Sequence, residues 1–187
     1  MPPKVKVSRS DILKTAVDIV RNTGAEALNA RAIAKVLGCS TQPIFSNFST
    51  MDALRLAVME EALALYEEYT RQEIQTGKYP VYKSTGMAYI RFAKEEKELF
   101  KLLYMRDRSG EAIPAQTQET EQLAALVQSY IDLSRGRARL FHLEMWAFVH
   151  GIAVMLATDY LDLDTELISQ MVTDAFQGLK KRFAEKE

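Results

Sequence analysis

Apolar residues recur at helical spacing along most of this chain, and its second half contains no segment that alternates between apolar and polar residues as a strand would. The first apolar stripe consists of Ile12, Leu13, Ala16, Ile19 and Val20. Ser8, with Asp11 three residues later, forms a capping-box pair at the start of this helix, and Gly24 ends it. The pattern predicts an all-α protein of about nine helices.

Two later segments differ in how their apolar residues are distributed. A long fourth helix is predicted to begin after Ser49, with Asp52 as its capping partner, and to run toward Gly77. Residues 140–156 are apolar nearly all round, which predicts a helix covered on every side by its own chain or by a second copy. The last helix, from about Asp164, has a single apolar face.

A spacing typical of a helix-turn-helix begins at Asn29, which is suited to capping the first helix of the motif. Two short helices that cross steeply need a small residue at the crossing, a left-handed turn and an apolar anchor. Ala34, Gly38 and Ile44 provide these in that order. Ser40 has a hydroxyl suited to capping the second helix. Ordinary helical hairpins show the same spacing by chance, so the spacing alone leaves both interpretations open.

Helical periodicity assigns the residues of this motif to an inner and an outer face. The inner face is predicted to contain Ile33, Val36, Leu37, Ile44 and Phe48. The outer positions are candidate contacts to a DNA groove, namely Ser40, Thr41, Gln42, Pro43, Phe45, Ser46 and Asn47. Among them, Gln42 and Asn47 have amides that can each make paired hydrogen bonds to adenine.

The charge of the chain is unevenly distributed. Its formal net charge is −1, but residues 1–50 contain seven basic and three acidic residues, a net +4, which leaves −5 for the remainder. A basic end on a mildly acidic body is what a local phosphate-binding face would produce. The candidate phosphate contacts are Lys4, Lys6, Arg9, Arg31 and Lys35. Residues 1–8 either are disordered or follow a DNA backbone.

Composition also restricts where the protein is expected to act. The single cysteine, Cys39, excludes an intramolecular disulfide, and the first residues lack the apolar core of a signal peptide. The most apolar run, residues 145–157, is predicted to be too short to span a bilayer. We therefore expect a soluble cytoplasmic protein that is not associated with a membrane.

The sequence contains no arrangement typical of an enzyme active site. It has no glycine-rich phosphate loop and no serine flanked by glycines. His142 and His150 are eight residues apart, about 12 Å along a helix, which argues against a shared metal. We predict a protein that is not an enzyme and that uses neither a metal nor a cofactor.

Residues 9 to about 60 resemble the N-terminal domain of TetR-family transcriptional regulators. The matching pattern consists of Ile33-Ala34, Gly38, Ser40, Phe45 and Phe48, followed by a capped fourth helix. The family usually has tyrosine where this chain has Phe45 and lysine where it has Met51. Both are usual phosphate contacts, so their absence is expected to weaken nonspecific affinity and its salt dependence. The resemblance implies a DNA-binding domain over residues 1–50 and a helical effector-binding and dimerisation domain over residues 51–187.

The second half of the chain resembles the ligand-binding half of the TetR subgroup named for its Trp-His-Gly signature. The matching segments are Ala88 to Met105 and Trp146 to Gly151. The candidate ligand contacts within them are Tyr89, Phe92, Phe100, Tyr104, Met105, Trp146 and His150. Each of these also has an interpretation as an ordinary core residue. Together they would suit a largely apolar or aromatic effector with few hydrogen-bonding groups.

The family resemblance also implies a homodimer that binds a palindromic operator as a repressor and is released by a small molecule. The apolar surface of the last two helices exceeds what one core covers, which points to the same dimer. Its predicted interface consists of Val149, Ala153, Leu156, Ile168, Met171, Val172, Ala175, Phe176 and Leu179. The alternative is an all-α dimeric interaction module that keeps the helix-turn-helix as a scaffold, although the basic N-terminal end argues against it.

Overall fold

The computed structural model describes residues 7–107 and 114–184, and in these ranges the chain is helical without strands. The nine α-helices of the described chain are α1 Arg9–Thr23, α2 Ala30–Leu37, α3 Gln42–Asn47, α4 Met51–Gln75, α5 Val81–Glu95, α6 Lys97–Tyr104, α7 Pro114–Gln128, α8 Arg135–Ala157 and α9 Thr165–Ala184. The predicted fold class is confirmed: an N-terminal helix-turn-helix is followed by a helical C-terminal part.

The chain divides into two compact units. The first unit comprises Met1–Glu67 and Glu96–Arg106, and the second comprises Glu68–Glu95 and Asp107–Glu187. In the first unit α1 packs against α2, α3 and α6, and in the second unit α5, α7 and α9 pack around α8. Helix α4 contributes residues to both units. The sequence-based boundary between residues 50 and 51 stays a prediction.

Helix α1 begins and ends as its sequence predicts. The backbone N–H of Asp11 donates to the Ser8 Oγ at 3.1 Å, and the Asp11 carboxylate accepts from the Ser8 N–H at 3.0 Å. The hydrogen bonds from Ser8 hold the pKa of Asp11 below its ordinary value. Gly24 ends the helix with a φ of 86°, a conformation that glycine adopts without steric cost. The predicted capping box is therefore confirmed.

The turn between α2 and α3 has the geometry that the helix-turn-helix spacing predicts. Asn29 caps α2 by accepting from the Ala32 N–H, and Gly38 is left-handed with a φ of 63°. Ile33, Ala34, Ile44 and Phe48 are buried, as predicted.

Two details of this motif were predicted wrongly. Val36 was placed on the inner face but is 66% exposed. Ser40 does not cap α3, because Thr41 occupies the N-cap position and its side chain makes no capping hydrogen bond.

The start of α4 differs by one residue from the prediction. The Ala53 N–H donates to the Thr50 Oγ1 at 3.0 Å, so Thr50 caps the helix in place of Ser49. Asp52 lies in the first turn, where it pairs with the Arg55 guanidinium at 2.9 Å. Helix α4 then continues to Gln75, and Gly77 beyond it has a left-handed φ of 63°.

The most enclosed helix of the second unit is α5, whereas the sequence pointed to α8. Helix α5 has buried side chains all round its circumference, including Tyr82, Ile90 and Phe92. Helix α8 buries one side and leaves Leu140 and Leu143 exposed on the other, at 47% and 44%. The chain alone therefore does not cover α8 on every side, and its coverage by a second copy stays a prediction.

Helix α8 is long and apolar enough, by length and composition alone, to cross a membrane. The apolar run of residues 145–157 belongs to a longer helix that begins at Arg135, so the length of the run alone does not decide the question. Its packing is that of a core helix. Residues such as Phe141, Ile152 and Leu156 are buried in the second unit, where α8 contacts α5, α7 and α9.

Candidate nucleic-acid interface and effector site

Helix α3 presents a short polar and aromatic surface on the first unit. Gln42 and Ser46 are exposed, and Phe45 is 50% exposed, while Ile44 between them is buried. The Ser46 hydroxyl donates to the Gln42 carbonyl at 2.9 Å, and the Asn47 amide donates to the Pro43 carbonyl at 2.8 Å. The Asn47 amide nitrogen is thus engaged within the helix, whereas the Gln42 side chain makes no hydrogen bond to the described residues.

A cation–π contact places one predicted phosphate contact next to α3. The Arg9 guanidinium lies 4.6 Å from the centroid of the Phe48 ring, and Phe48 directly follows α3. Phe48 therefore orients Arg9 as well as anchoring the helix. Arg31 and Lys35 are both exposed and lie four residues apart on α2, on one helical face.

Lys4 and Lys6 lie outside the described residues, so their predicted role has no structural account. The sequence analysis considered the start of α4 only through the side chain of Met51 and not through the backbone of the helix end. Ser49 and Thr50, which precede it, are both exposed, and the Thr50 Oγ1 accepts from the Ala53 N–H. A helix N-terminus attracts phosphate through its N–H groups and its dipole. The Ser-Thr pair ahead of the helix was the signal for it.

The predicted ligand residues belong to two different units. Phe100, Tyr104 and Met105 lie in the first unit, and the other four lie in the second. Phe100 is fully buried and packs on Tyr104 at 5.1 Å between ring centroids, and Tyr104 contacts Tyr66 at 6.3 Å. Met105 is exposed. Phe100 therefore occupies a core position of the first unit.

In the second unit, three of the predicted ligand residues form a cluster. The Tyr89 hydroxyl and the His150 Nδ1 are 2.9 Å apart, and the Trp146 ring stacks on His150 with centroids 4.9 Å apart and planes 11° apart. Burial lowers the pKa of His150. Trp146 is 44% exposed, so it lies toward the outside of α8 and does not line the interior of the unit.

Phe92 and its neighbour Arg91 connect α5 to the last turns of α4. Phe92 is fully buried, with its ring edge-on to Tyr69 at 5.5 Å. Arg91 pairs with Glu73, which is itself buried, at 3.3 Å. The sequence analysis did not single out Arg91, although a charged residue within the apolar stretch Ala88 to Ala93 was a signal for it.

A second histidine–tyrosine pair lies deeper in the second unit. The His142 Nδ1 is 3.0 Å from the Tyr82 hydroxyl, and both residues are buried near Phe141 and Phe176. Burial lowers the pKa of His142 and raises the pKa of Tyr82, because it disfavours the charged form of each. His142 is therefore neutral in the folded protein at neutral pH.

Acidification is expected to destabilise the second unit through His142. The unfolded chain binds a proton near pH 6.5, whereas the folded chain does so only at lower pH. The contribution of neutral His142 is thus complete above that pH and is lost as the pH falls toward the folded pKa. Urea unfolding at pH 7 and pH 5 measures the loss. His142→Gln, which cannot titrate but keeps an acceptor for Tyr82, should show a smaller pH dependence. An equal dependence in both proteins would contradict the assignment.

Most of the predicted dimer residues lie inside their own unit. Val149, Ala153, Leu156, Ile168 and Val172 are buried in the chain's own core, and they are therefore corrected from interface to core positions. The Phe176 ring contacts Tyr82 and Phe141, so it also points inward. Met171, Ala175 and Leu179 are partly exposed. Periodicity identified apolar faces of α8 and α9 but chose the sides that the chain itself covers.

A family model described as the C-terminal domain of tetracyclin-repressor-like proteins matches residues 82–176, just over half of the chain. No curated protein matches the chain. The matched residues include α6, α7 and α8 in full and all of α5 except its first residue.

Several solved structures share the fold along almost the whole chain. A protein of unknown function from Rhodococcus sp. RHA1 has a TM-score of 0.75 at 22% identity, covering 99% of this chain and 100% of that one. A TetR-like transcriptional regulator from the same organism has a TM-score of 0.70 at 17% identity, covering 96% and 98%. The multidrug-binding protein EbrR, solved with imidazole, has a TM-score of 0.60 at 16% identity, covering 94% and 97%.

Proposed function

Because this chain belongs to the TetR family of transcriptional regulators, we propose that it binds operator DNA as a homodimer and is released by a small, largely apolar or aromatic effector. It would then act as a ligand-relieved repressor in the cytoplasm. Residues 1–50 would bind the DNA, and residues 51–187 would bind the effector and form the dimer. The observation that carries the DNA-binding half is the exposed surface of α3 around Gln42 and Phe45.

The charges around α3 support a phosphate contact on each side of a groove. Arg9, held on Phe48, lies beside α3, and Arg31 and Lys35 are exposed on α2. Each such cation would contribute sequence-independent affinity that falls with salt, while Gln42 would discriminate between bases. The proposed base contacts are Thr41, Gln42, Ser46 and Asn47. Of these, Gln42 has the most available side chain.

Selection of random duplexes against the protein tests this proposal, and enrichment of a palindrome is the expected result. Gln42→Ala should then relax the preference at one base position in each half-site, at a cost of about 1–3 kcal/mol. Lys35→Ala should weaken all sequences alike and lower the salt slope by about one. If no sequence is enriched at low salt, the interaction-module alternative is favoured.

A dimer would be formed by the uncovered face of α8. Leu140, Leu143 and Ala147 recur at three- and four-residue intervals along this face and are exposed, and the partly exposed Val154 follows seven residues later. Such spacing suits close packing against a second antiparallel or parallel helix. The partly exposed Met171 on α9 would extend the interface.

Effector release would act through α4, which contributes to both units. A dimer on one palindrome must hold its reading helices about 34–36 Å apart, one turn of DNA, so a small tilt of α4 would disturb binding. EbrR, which has this fold, is a multidrug-binding protein. Reciprocity requires operator DNA to weaken effector binding by the same factor, commonly about 5–150-fold. A compound that binds the second unit tightly without changing DNA affinity would contradict the coupling.

A further inference from the structure

Arg91, in the enclosed helix α5, has a buried donor nitrogen without an acceptor among the described residues. Its Nε is shielded from solvent and makes no hydrogen bond there. The rest of the guanidinium is held loosely. Nη1 lies 3.3 Å from the Glu73 carboxylate, and Nη2 lies 3.4 Å from the Tyr69 carbonyl and 3.5 Å from the Gln72 side-chain oxygen. These distances are at the long end of hydrogen bonding, so the hydrogen-bonding capacity of the guanidinium is only weakly satisfied by the chain.

Aromatic contacts hold the guanidinium that carries this donor. The Arg91 guanidinium lies 4.8 Å from the centroid of the Tyr69 ring, and the Tyr69 ring packs edge-on against Phe92 at 5.5 Å. The Tyr69 hydroxyl donates to the Glu95 carboxylate at 2.8 Å, which holds the ring in place. The Nε–H group is therefore a fixed donor beside aromatic surface, and this combination suits an apolar ligand with one acceptor.

The surrounding charges decide which acceptor fits. The guanidinium already pairs with the Glu73 carboxylate, and the Glu95 carboxylate accepts from the hydroxyl of the Tyr69 ring that stacks on it. The neighbouring Lys94 is not available to a ligand, because its ammonium binds the Asp162 carboxylate at 2.7 Å and the Leu163 carbonyl at 2.9 Å. A further carboxylate would be repelled, whereas a carbonyl oxygen accepts the Nε–H bond without adding charge.

We propose that the Arg91 Nε is the polar anchor of an effector site in the second unit, and that it binds uncharged, largely apolar molecules bearing a carbonyl oxygen, such as aryl ketones or esters. The inference rests on the proposed function in taking the second unit as the effector-binding part. The same guanidinium contacts Tyr69, Gln72 and Glu73 on α4. A ligand bound to Nε therefore acts directly on the last turns of that helix.

Three probes of nearly equal shape separate the alternatives: 2-acetylnaphthalene has a carbonyl, 2-ethylnaphthalene has no acceptor, and 2-naphthoate is charged. Their affinities for the full chain are measured by titration without DNA. The ketone should bind about ten-fold or more tightly than the hydrocarbon, as expected for a hydrogen bond to a charged donor, and the carboxylate most weakly. In ¹⁵N–¹H spectra of arginine side chains, the Arg91 Nε–H resonance should shift with the ketone alone.

Variants isolate the role of the Nε–H group. Arg91→Lys keeps a cation for Glu73 but removes this donor, and it should abolish the preference for the ketone. Arg71→Lys, at an exposed arginine on α4, is the matched control and should keep it. Glu73→Gln should also keep it and should raise the affinity for 2-naphthoate, because it removes one of the two carboxylates. If Arg91→Lys does not fold, the resonance shift in the unaltered protein decides.

Several results would overturn the inference. They are equal affinities for the ketone and the hydrocarbon, a preference that persists in Arg91→Lys, tighter binding of the carboxylate, or no binding of any probe. None of these measurements involves DNA. If the ketone binds as expected but no operator sequence is enriched, the proposed regulator function is contradicted and this inference stands. If an operator is found but only molecules without a carbonyl release it, this inference alone is contradicted.

Discussion

Leu140→Asp is expected to convert the protein to a monomer and to abolish operator binding, with little change in the stability of the chain itself. Leu140 is 47% exposed in the single chain and is the first residue of the uncovered face of α8. Burying a leucine in an interface contributes about 1.5–3 kcal/mol, and two copies contribute at once across a twofold axis. An aspartate at this position would instead bury two like charges without partners.

Operator binding would depend on the dimer, because each chain would provide the reading helix for one of the two half-sites. A monomer would retain only the contacts of one half-site, so the loss of operator affinity is expected to exceed a hundred-fold. Sedimentation at micromolar concentration measures the oligomeric state, and electrophoretic mobility of labelled operator measures the affinity. Thermal unfolding of the variant confirms that each chain remains folded.

Leu63→Asp provides the matched control for the dimer. Leu63 is a leucine of almost equal exposure, 45%, but it lies on α4 in the first unit. Its replacement introduces the same charge and should leave the dimer intact. If Leu140→Asp remains dimeric, or if both variants dissociate, the interface does not lie on this face of α8.

The second large effect is expected from a pair of neighbouring residues on α3. Ile44→Ala should destabilise the first unit by about 2–5 kcal/mol, since Ile44 is fully buried and anchors α3 on the other helices of the motif. A loss of that size is a large fraction of the total stability of a domain, about 5–15 kcal/mol. The helix-turn-helix of this variant should therefore be partly unfolded at 37 °C, and DNA binding should be lost with it.

Phe45→Ala separates folding from DNA contact at the adjacent position. Phe45 is half exposed, so its truncation should change the free energy of unfolding by less than about 0.5 kcal/mol. Operator affinity should nevertheless fall, because the ring lies on the surface proposed to face DNA. Hydrogen exchange of α2 and α3 amides and operator titration measure the two effects. Equal loss of stability in both variants would mean that α3 has been assigned the wrong face.

Local features of the fold followed from the sequence because they depend on residues within one helical turn. The Ser8–Asp11 capping box, the Asn29 cap and the left-handed Gly38 each involve partners at most four residues apart. The choice among adjacent candidates was less well determined. Ser40 and Ser49 are chemically suited to capping, but the backbone places Thr41 and Thr50 at the N-cap positions. Neighbouring serine and threonine residues have the same capping chemistry, so only the backbone conformation decides which of them occupies the N-cap position.

The sequence by itself determined that the chain is helical, where its turns lie and which residues of the helix-turn-helix are anchors. Only the tertiary structure decided which sides of α5 and α8 are covered. Helix α8 is apolar nearly all round, so its own periodicity cannot show that Val149 packs inward while Leu140 stays exposed. The pairing of Arg91 with Glu73 likewise joins residues on two helices. Burial of this kind depends on neighbours distant in sequence, which no local pattern of residues records.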